Sequence, residues 1–482
     1  MKRIHPLAPL AAALCALALS PAALAQHAGH SAAATATQAP AAKLVRLELH
    51  TNIVDGKMVY VDAKGRVNPD IQAQVGDTVE ITLSSGEGAE HDFVVDELKV
   101  ASPKFNAETG PQRLRFQLTQ PGEFNYYCSI PGHRQIGMQG LIKVTGQASA
   151  AAPAAPAAPD PALALYTPAP VPQRSADPTA VSVVADPAKV PPAIGPRAPQ
   201  VQKLRMETVE LAGKLDDGTS FTYWTFDRQV PGPMLRARVG DTIELTLAND
   251  KSSKAIHSID LHAVTGGHGG GEHTQVAPGQ EKTITFKALN SGLFVYHCAT
   301  PLVPQHIAAG MYGMILIEPE EGLSKVDREY YVMQADMYTH RPIGAKVHQE
   351  PDLDKMANEL PDYYVFNGAV GALTKTHKLQ AKVGETVRIY FGVGGPNKVS
   401  SFHVIGEIFD KVYSEAALNT VKTNVQTTLV APGGATIVEL KVQHPGSYLL
   451  VDHALSRTGK GAVGVLEVTG EGEPGVYKPS KL

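Results

Sequence analysis

Apolar and polar residues alternate along most of the chain from Lys43 onward, and this alternation predicts strands rather than helices. The segments VGDTVEITL from Val75, VGDTIELTL from Val239 and VGETVRIYF from Val383 each alternate with a period of two after a Val-Gly turn. A period of two places successive side chains on opposite faces of a sheet, one of which is turned to a core. Short alternating segments separated by Gly and Pro are typical of an all-β fold.

The three segments open three copies of one β-unit. Each opening is followed by a His after a loop, and later by two strands joined through Gly that end at a Cys or a His. These positions are His91 and Cys128 in the first copy, His257 and Cys298 in the second, and His403 and His453 in the third. A unit of roughly 100 to 150 residues that repeats three times predicts an all-β protein of three Greek-key β-sandwich domains.

The composition of the remaining segments sets the predicted boundaries. Two basic residues, an apolar stretch over residues 7–19 and an Ala-Leu-Ala cleavage site indicate a secretory signal and hence a periplasmic protein. An Ala/Pro-rich stretch without periodicity follows the first copy and is typical of a semi-rigid linker. The predicted segments are a signal peptide (1–25), a disordered segment (26–42), a first domain (43–146), a linker (147–185), a second domain (186–325), a third domain (326–471) and a C-terminal tail (472–482).

Composition excludes several classes of function. The formal net charge is −4, so no basic surface for nucleic acid is expected, and no apolar stretch after the leader is long enough to span a membrane. Cys128 and Cys298, the two cysteines outside the leader, could form a disulfide in an oxidising compartment. Each lies among His and Met residues, however, which favours two separate metal sites. His27 and His30 either bind copper loosely or belong to a solvated tail.

The second copy contains a complete ligand set for a blue copper centre. The loop FVYHCATPLVPQHIAAGMYGM carries Cys298, His306 and Met311, and His257 precedes it on an earlier strand. A thiolate, two imidazoles and a weak thioether are the ligands of blue copper. The sequence therefore predicts a type 1 copper site at these four residues.

The neighbouring residues predict a second metal on the opposite face. Since side chains alternate along a strand, His297 points away from the metal held by Cys298. In HSIDLH, Asp260 and His262 lie two residues apart and share a face, whereas His257 lies five residues before His262 and faces the other side. A metal one peptide unit from a blue centre suggests an enzyme rather than a simple electron carrier.

The first copy keeps only the blue site. Its predicted ligands are His91, Cys128, His133 and Met138. Tyr127 stands before the Cys and Asp96 stands five residues after the first His, where the second copy has histidines. The first copy is therefore predicted to be an electron-carrying module with no second metal.

The third copy has no Cys and therefore no blue site. It keeps His403 and His453. These either serve the second metal of the second copy or are satisfied core histidines, and the spacing fits both interpretations.

Four segments resemble the copper-containing nitrite reductases of the shorter-loop group: IHSIDLHA, FVYHCATPLVPQHIAAGMYG, SSFHVIGEIFDKVY and LVDHALSRTGKGAVG. They extend over both domains of that family, and the N-terminal part of the chain resembles a separate plastocyanin- or azurin-like cupredoxin. The resemblance implies three cupredoxin-type domains, two type 1 coppers and one type 2 copper per chain. It also implies a homotrimer that reduces nitrite to nitric oxide with one electron and two protons.

The resemblance also implies roles for individual residues. His262 and His297 of one subunit and His453 of the partner subunit would hold the type 2 copper, with Met311 as the axial ligand of the type 1 site. Asp260 and His403 would supply protons, and Ile405 would shape the nitrite pocket. A periplasmic cytochrome c or cupredoxin would donate electrons, and the N-terminal module would relay them.

Some features depart from the family, and two other functions make different demands on the sequence. Ser258 stands where many relatives carry Asn, and the segment after His453 is one residue shorter than usual. His268 and His273 are either solvated loop residues or modulate access to the pocket. A laccase-like multicopper oxidase would need H-x-H pairs, which the sequence lacks, and a non-catalytic electron carrier would leave the second site without copper.

Overall fold

The computed structural model describes residues 42–54, 57–130, 132–134, 137–146 and 174–478. The predicted signal peptide, nearly all of the predicted disordered segment with His27 and His30, and most of the predicted linker lie outside the described residues. Among the described residues, no helix combines the length and the apolar character needed to cross a membrane. The chain is organised almost entirely by sheets, so the predicted all-β, cupredoxin-type fold is confirmed.

The N-terminal module, residues 43–146, consists of two sheets. Their strand orders are β2-β1-β4-β7 and β3-β9-β8-β5-β6, with β1 parallel to β4. Apolar residues of both sheets share one buried cluster, as in a sandwich. The strands are β1 (Leu44–Val54), β2 (Lys57–Asp62), β3 (Ile71–Gln74), β4 (Thr78–Ser85), β5 (Val94–Val95), β6 (Val100–Ala101), β7 (Gln112–Gln117), β8 (Gly122–Tyr127) and β9 (Gln139–Thr145).

The rest of the described chain, residues 174–478, is called the core below. Its strands are β10 (Arg174–Ser175), β11 (Val201–Asp216), β12 (Thr219–Phe226), β13 (Leu235–Arg238), β14 (Thr242–Asn249), β15 (Asp260–Leu261), β16 (Glu281–Lys287), β17 (Gly292–His297), β18 (Tyr312–Glu318), β19 (Arg328–Met337), β20 (Val347–Gln349), β21 (Tyr363–Phe366), β22 (Leu379–Lys382), β23 (Thr386–Gly395), β24 (Ser400–Ile405), β25 (Phe409–Tyr413), β26 (Val421–Val425), β27 (Thr427–Val430), β28 (Ala435–Lys441), β29 (Gly446–Asp452) and β30 (Val463–Thr469).

Helical segments are few and short. The part of the chain that the structure describes has two α-helices, α1 (Val303–Ala308) and α2 (Leu353–Ala357). Single 3₁₀ turns cover Asp96–Leu98, Gly267–Gly270, Ser414–Ala416 and Leu455–Lys460, and one π-helical turn covers Ala372–Thr376.

Four sheets build the core. The first pair has the orders β10-β20-β12-β11-β14-β16 and β13-β18-β17-β15, and the second pair has the orders β21-β19-β23-β28-β25-β26 and β22-β30-β29-β24-β27. Residues 174–185 fall within the predicted linker, yet they contact the core: β10 pairs with β20, and Val183 is buried in a core cluster. The predicted domain boundaries stay a prediction.

One buried cluster joins the two halves of the core. It contains Leu293 and Met314 from one half and Met333, Tyr390 and Ile437 from the other. Strand β23 is therefore buried at almost every position, whereas β4 and β14 alternate as predicted. The third opening differs because it is covered on both faces, by its own sandwich and by its neighbour. The two halves pack as one unit, as the absence of a linker between them predicts.

Candidate metal centres

A buried Cys–His cluster lies at one end of the first core sandwich. The ligand atoms of His257, Cys298 and His306 all lie within 4.8 Å of one another, and all three side chains are buried. The Cys298 Sγ is 3.2 Å from His306 Nδ1, which is 3.3 Å from His257 Nδ1. Cys298 directly follows β17, His306 lies on α1, and the fully buried Met311 lies just before β18. The three predicted donors are thus brought together, and Met311 is placed beside them in the same loop.

Backbone hydrogen bonds fix this loop. The Cys298 amide donates to the Met311 carbonyl at 3.1 Å, and the Met311 amide donates to the His306 carbonyl at 3.1 Å. Ser258 ties the loop to the strand side: its amide donates to Cys298 Sγ at 3.4 Å, and its Oγ accepts from the Ala299 amide at 3.2 Å. The ligands are therefore held in place by the chain itself.

The charges in this cluster suit a soft metal cation. Burial raises the pKa of the Cys298 thiol, but His306 and His257 outweigh it and hold that pKa well below its ordinary value. Burial lowers the pKa of His257, yet its hydrogen bonds with Cys298 and Glu210 raise that pKa to about 9. A thiolate beside two imidazoles, with a thioether near, is a donor set that fits copper.

Glu210 is a part of this centre that the sequence did not reveal. Its carboxylate lies 3.2 Å from His257 Nε2 and also accepts from the amides of Lys254 and Ala255 at 2.9 and 2.7 Å. A carboxylate on Nε2 fixes the ring orientation and leaves Nδ1 directed at the thiolate. Because Glu210 lies on β11, far from the ligands in sequence, no motif could have identified it.

The module contains a second cluster of the same type. The ligand atoms of His91, Cys128 and His133 lie within 4.8 Å of one another, and all three residues are buried. His133 Nδ1 is 3.4 Å from Cys128 Sγ and 3.1 Å from His91 Nδ1. Met138 is fully buried, and its amide donates to the His133 carbonyl at 3.0 Å. Three of the predicted ligands are thus brought together, and Met138 lies in the same loop.

Glu87 plays the part in the module that Glu210 plays in the core. Its carboxylate contacts His91 Nε2, and Thr51 Oγ1 donates to it at 2.7 Å. Burial alone raises the pKa of Glu87, but the His91 contact lowers it overall. Glu87 lies only four residues before His91, and this short spacing is a feature of the sequence that could have indicated the contact.

A third group lies on the opposite face of β17. The ligand atoms of Asp260, His262 and His297 lie within 4.8 Å of one another, with His262 Nε2 3.1 Å from His297 Nε2. His297 Nδ1 donates to the Cys298 carbonyl at 3.0 Å, which leaves its Nε2 lone pair directed at His262. Asp260 pairs with His297 across β15 and β17. Strand β15 spans only two residues, shorter than predicted, yet the two faces separate as predicted.

A glycine loop covers Asp260. A methyl group added at Gly269 would lie 1.7 Å from Asp260 Oδ1, so only glycine fits there. His268, in the same loop, is exposed and lies 3.5 Å from Glu272. His273 lines a cavity of about 600 Å³ together with Gly266 and Gly270 of this loop. Neither His268 nor His273 belongs to any of the ligand groups found among the described residues.

His403, Ile405 and His453 form a separate group on the second core sandwich. The rings of His403 and His453 lie 5.4 Å apart between centroids, and His403 Nδ1 donates to the Gln426 carbonyl at 2.6 Å. His453 is exposed, and Ile405 is 42% exposed. Within one chain these three residues do not join the ligand group of Asp260, His262 and His297.

A buried carboxylate, Asp452, holds the segment that presents His453. Its Oδ1 accepts from the amides of Ser401 and Ala454, and its Oδ2 accepts from Gln334 at 2.9 Å and from Arg457 at 2.5 Å. Asp452 is fully buried, so these bonds replace its hydration. His453 is therefore presented on a rigid support, a feature that the sequence pattern did not indicate.

Comparison with known proteins agrees with this geometry. A family model described as "Copper binding proteins, plastocyanin/azurin family" matches residues 47–145, and one described as "Multicopper oxidase" matches residues 208–322. A copper-containing nitrite reductase of Neisseria meningitidis is 54% identical over 287 residues, 59% of this chain and 74% of the relative. The chain belongs to the copper-containing nitrite reductase family.

More distant family members cover the same region. The copper-containing nitrite reductase of Alcaligenes xylosoxydans is 37% identical over 57% of this chain and 89% of its own length. The solved structure of the copper nitrite reductase of Nitrosomonas europaea matches with a TM-score of 0.52 and 37% identity, over 58% of this chain and 98% of that one. The core is therefore similar to copper-containing nitrite reductases, and the module is similar to copper-binding proteins of the plastocyanin/azurin family.

Proposed function

We propose that this protein is a dissimilatory nitrite reductase that converts nitrite, one electron and two protons into nitric oxide and water. The observation that carries the proposal is the pairing of a buried Cys–His cluster with an open His–His–Asp group through the single peptide unit between His297 and Cys298. An electron stored at the thiolate side thus has a short covalent route to the open side. Family membership supports nitrite as the substrate.

We propose three coppers per chain, of two types. The two buried clusters, each with a Cys, two His and a Met, would hold type 1 copper, since that donor set is typical of blue centres. The open group would hold type 2 copper through His262 and His297. Copper bound there would supply a Lewis acid and the reducing electron at a position open to an anion.

The homotrimer is proposed because the open site is incomplete in one chain. Two imidazoles and a carboxylate leave it short of the third His expected for a catalytic metal. Meanwhile His453 is exposed on a rigid support with no ligand group of its own. Docking of the second core sandwich of one subunit against the first of the next would bring His453 of the partner subunit, with His403 and Ile405 of the same surface, to this site.

Asp260 and His403 are the proposed proton donors. Removal of one nitrite oxygen as water needs two protons, so two titratable groups should face the bound anion. Asp260 lies within the ligand group, and His403 lies beside His453 with its Nδ1 already committed to a carbonyl. His403 Nε2 is thus the atom that can hold and release a proton. Ile405, exposed two residues further along β24, would limit the shape of the pocket.

The module is the proposed electron relay, and the periplasm is the proposed location. Its cluster contains a Cys and two His, and Tyr127 occupies the position of His297 and donates to Asp96 at 2.7 Å, where the core has a second ligand group. A tethered module works at an effective concentration that can reach about the millimolar range. A periplasmic cytochrome c or cupredoxin would supply the electrons.

The deciding experiment is His453→Ala in the full chain, with copper content, electron paramagnetic resonance and nitrite turnover measured together. We expect both blue signals to persist while the type 2 signal and nitric oxide formation are lost. His444→Ala, a change at a histidine outside all three ligand groups, is the matched control and should change neither. Full turnover of His453→Ala at full copper loading would refute the interface site. A chain that never shows a type 2 signal would instead be an electron carrier.

A further inference from the structure

The module is packed directly against the blue site of the core. The module's buried apolar cluster includes two residues of the core, Ile256 and Ala277. A methyl group added at Gly132 of the module would lie 2.1 Å from the Pro301 carbonyl oxygen of the core, so the two backbones touch there. A backbone hydrogen bond from Glu90 to Lys254, 3.2 Å long, adds a further link.

The contact between module and core lies beside His133 of the module's cluster and His306 of the core's cluster. Gly132 precedes His133, and Pro301 lies in the loop that leads to His306. His133 is 5% exposed and His306 is 3% exposed. Both rings line one cleft of about 630 Å³ between module and core, together with Trp224 and Ile130. The two imidazoles therefore face the same cleft, and each is almost completely shielded from solvent.

We propose that the docked module closes the blue centre of the core to external protein donors. A protein donor needs close contact with the imidazole edge of His306, and that approach is occupied by the module's loop at Gly132 and His133. Small reductants can still enter the cleft. The inference rests on the proposed function only in treating both clusters as blue copper centres, and it assigns to the module a shielding role in addition to electron transfer.

The residues at the contact between module and core are those of a specific interface. Its centre is apolar at Ile256 and Ala277, and its margin is charged, with Glu90 and Lys104 paired at 2.9 Å on the module's side. An apolar centre within a polar margin is the usual arrangement of a specific interface. Since Ala277 is fully buried, a large charged side chain there cannot be accommodated without separating the two surfaces.

The first test uses Ala277→Arg, with Ala277→Ser as the control of similar size. Trp224 is the protein's only tryptophan, and it lines the cleft, so its emission reports docking in the metal-free full chain. We expect Ala277→Arg to shift the emission to longer wavelength and to increase quenching by acrylamide, while Ala277→Ser leaves both unchanged. Ile130→Asp, on the module's side of the cleft, should reproduce the shift, and it replaces Ala277→Arg if that variant does not fold.

The second test measures access to the core's blue copper. In a Cys128→Ser background only the core retains a blue band, and a reduced cupredoxin is the external donor. We expect slow reduction in Cys128→Ser, an increase of about 10-fold or more on adding Ala277→Arg, and equal rates with ascorbate. Equal cupredoxin rates in both variants would overturn the proposal, even if Trp224 emission shifts. The relay role of the module is tested separately. It would be refuted if the wild-type protein turned over nitrite no faster than Cys128→Ser with the same cupredoxin donor.

Discussion

The two buried Cys–His clusters of this chain close their ligand loops in the same way, although the loops differ in length. Cys and His are five residues apart in the module and eight apart in the core. In both sites the Cys amide donates to the Met carbonyl at 3.1 Å, and the Met amide donates to the His carbonyl at 3.0 or 3.1 Å. The longer core loop contains helix α1. The backbone bonds between ligands are thus the fixed element, and the loop between them is free to vary.

The sites differ in the residue that precedes the Cys. In the core His297 turns outward to His262 and Asp260, whereas in the module Tyr127 turns outward and donates to Asp96, with Arg134 packed 4.2 Å over its ring. The residue before the Cys therefore belongs to a ligand group in the core, whereas in the module it only makes contacts with neighbouring side chains. The comparison teaches that the Cys–His cluster is common to both domains, and that only the core adds a ligand group on the outer face, where we propose that catalysis takes place.

Removal of each thiolate in turn should give the largest difference between the sites. Cys298→Ala should retain type 2 copper yet lose turnover with every donor that acts through the blue site, because no electron reaches the outer face. Cys128→Ala should retain turnover with a small reductant and lose about 100-fold or more with a dilute protein donor, since the tethered route is gone. Steady-state nitrite turnover with both kinds of donor makes the comparison. Equal losses in the two variants would contradict the separation of carrier and enzyme.

The outer face can be tested without disturbing either blue site. Asp260→Asn and His403→Ala should each lower turnover by about 100- to 10,000-fold, because a positioned acid or base contributes about that much. Copper content and both blue bands should change little. Asp96→Asn, which changes the carboxylate that Tyr127 contacts on the outer face of the module, is the control and should leave turnover unchanged. Unaltered turnover and pH dependence in both core variants would remove these residues from proton supply.

The sequence predicted which side chains come together in the clusters, but not the residues that orient them. Period-two alternation was enough to separate His257 from His262 and Cys298 from His297, because strand parity is a local property. Glu210 reaches His257 from a strand 47 residues away in sequence, and that pairing depends on tertiary packing. The position of the module could not be predicted from the sequence either, because an Ala/Pro-rich linker limits how far the module can reach but does not determine where it docks.

The two carboxylates on the first His of each site provide a symmetric test. Glu210→Gln and Glu87→Gln should each weaken copper binding at their own site by about 10- to 100-fold, because they orient the imidazole rather than bind the metal. Each variant should leave the other site unaffected. Competition with a chelator, followed through each blue band in Cys128→Ser or Cys298→Ala backgrounds, measures the effect. A loss at both sites from one substitution would indicate general destabilisation instead.

The smallest expected effect concerns the residue after the first His, where the two sites use different side chains for one task. Asp92 accepts from the Ser129 amide at 2.6 Å, and Ser258 accepts from the Ala299 amide at 3.2 Å, so each bridges to the residue that follows the Cys. This equivalence shows how a Ser in the core does the task that an Asp does in the module. Ser258→Ala should cost about 1 kcal/mol of stability and shift the core's blue band and potential, whereas Ser258→Asn should restore both. A blue band that responds to neither change would show that the Cys298 loop is held by its backbone bonds alone.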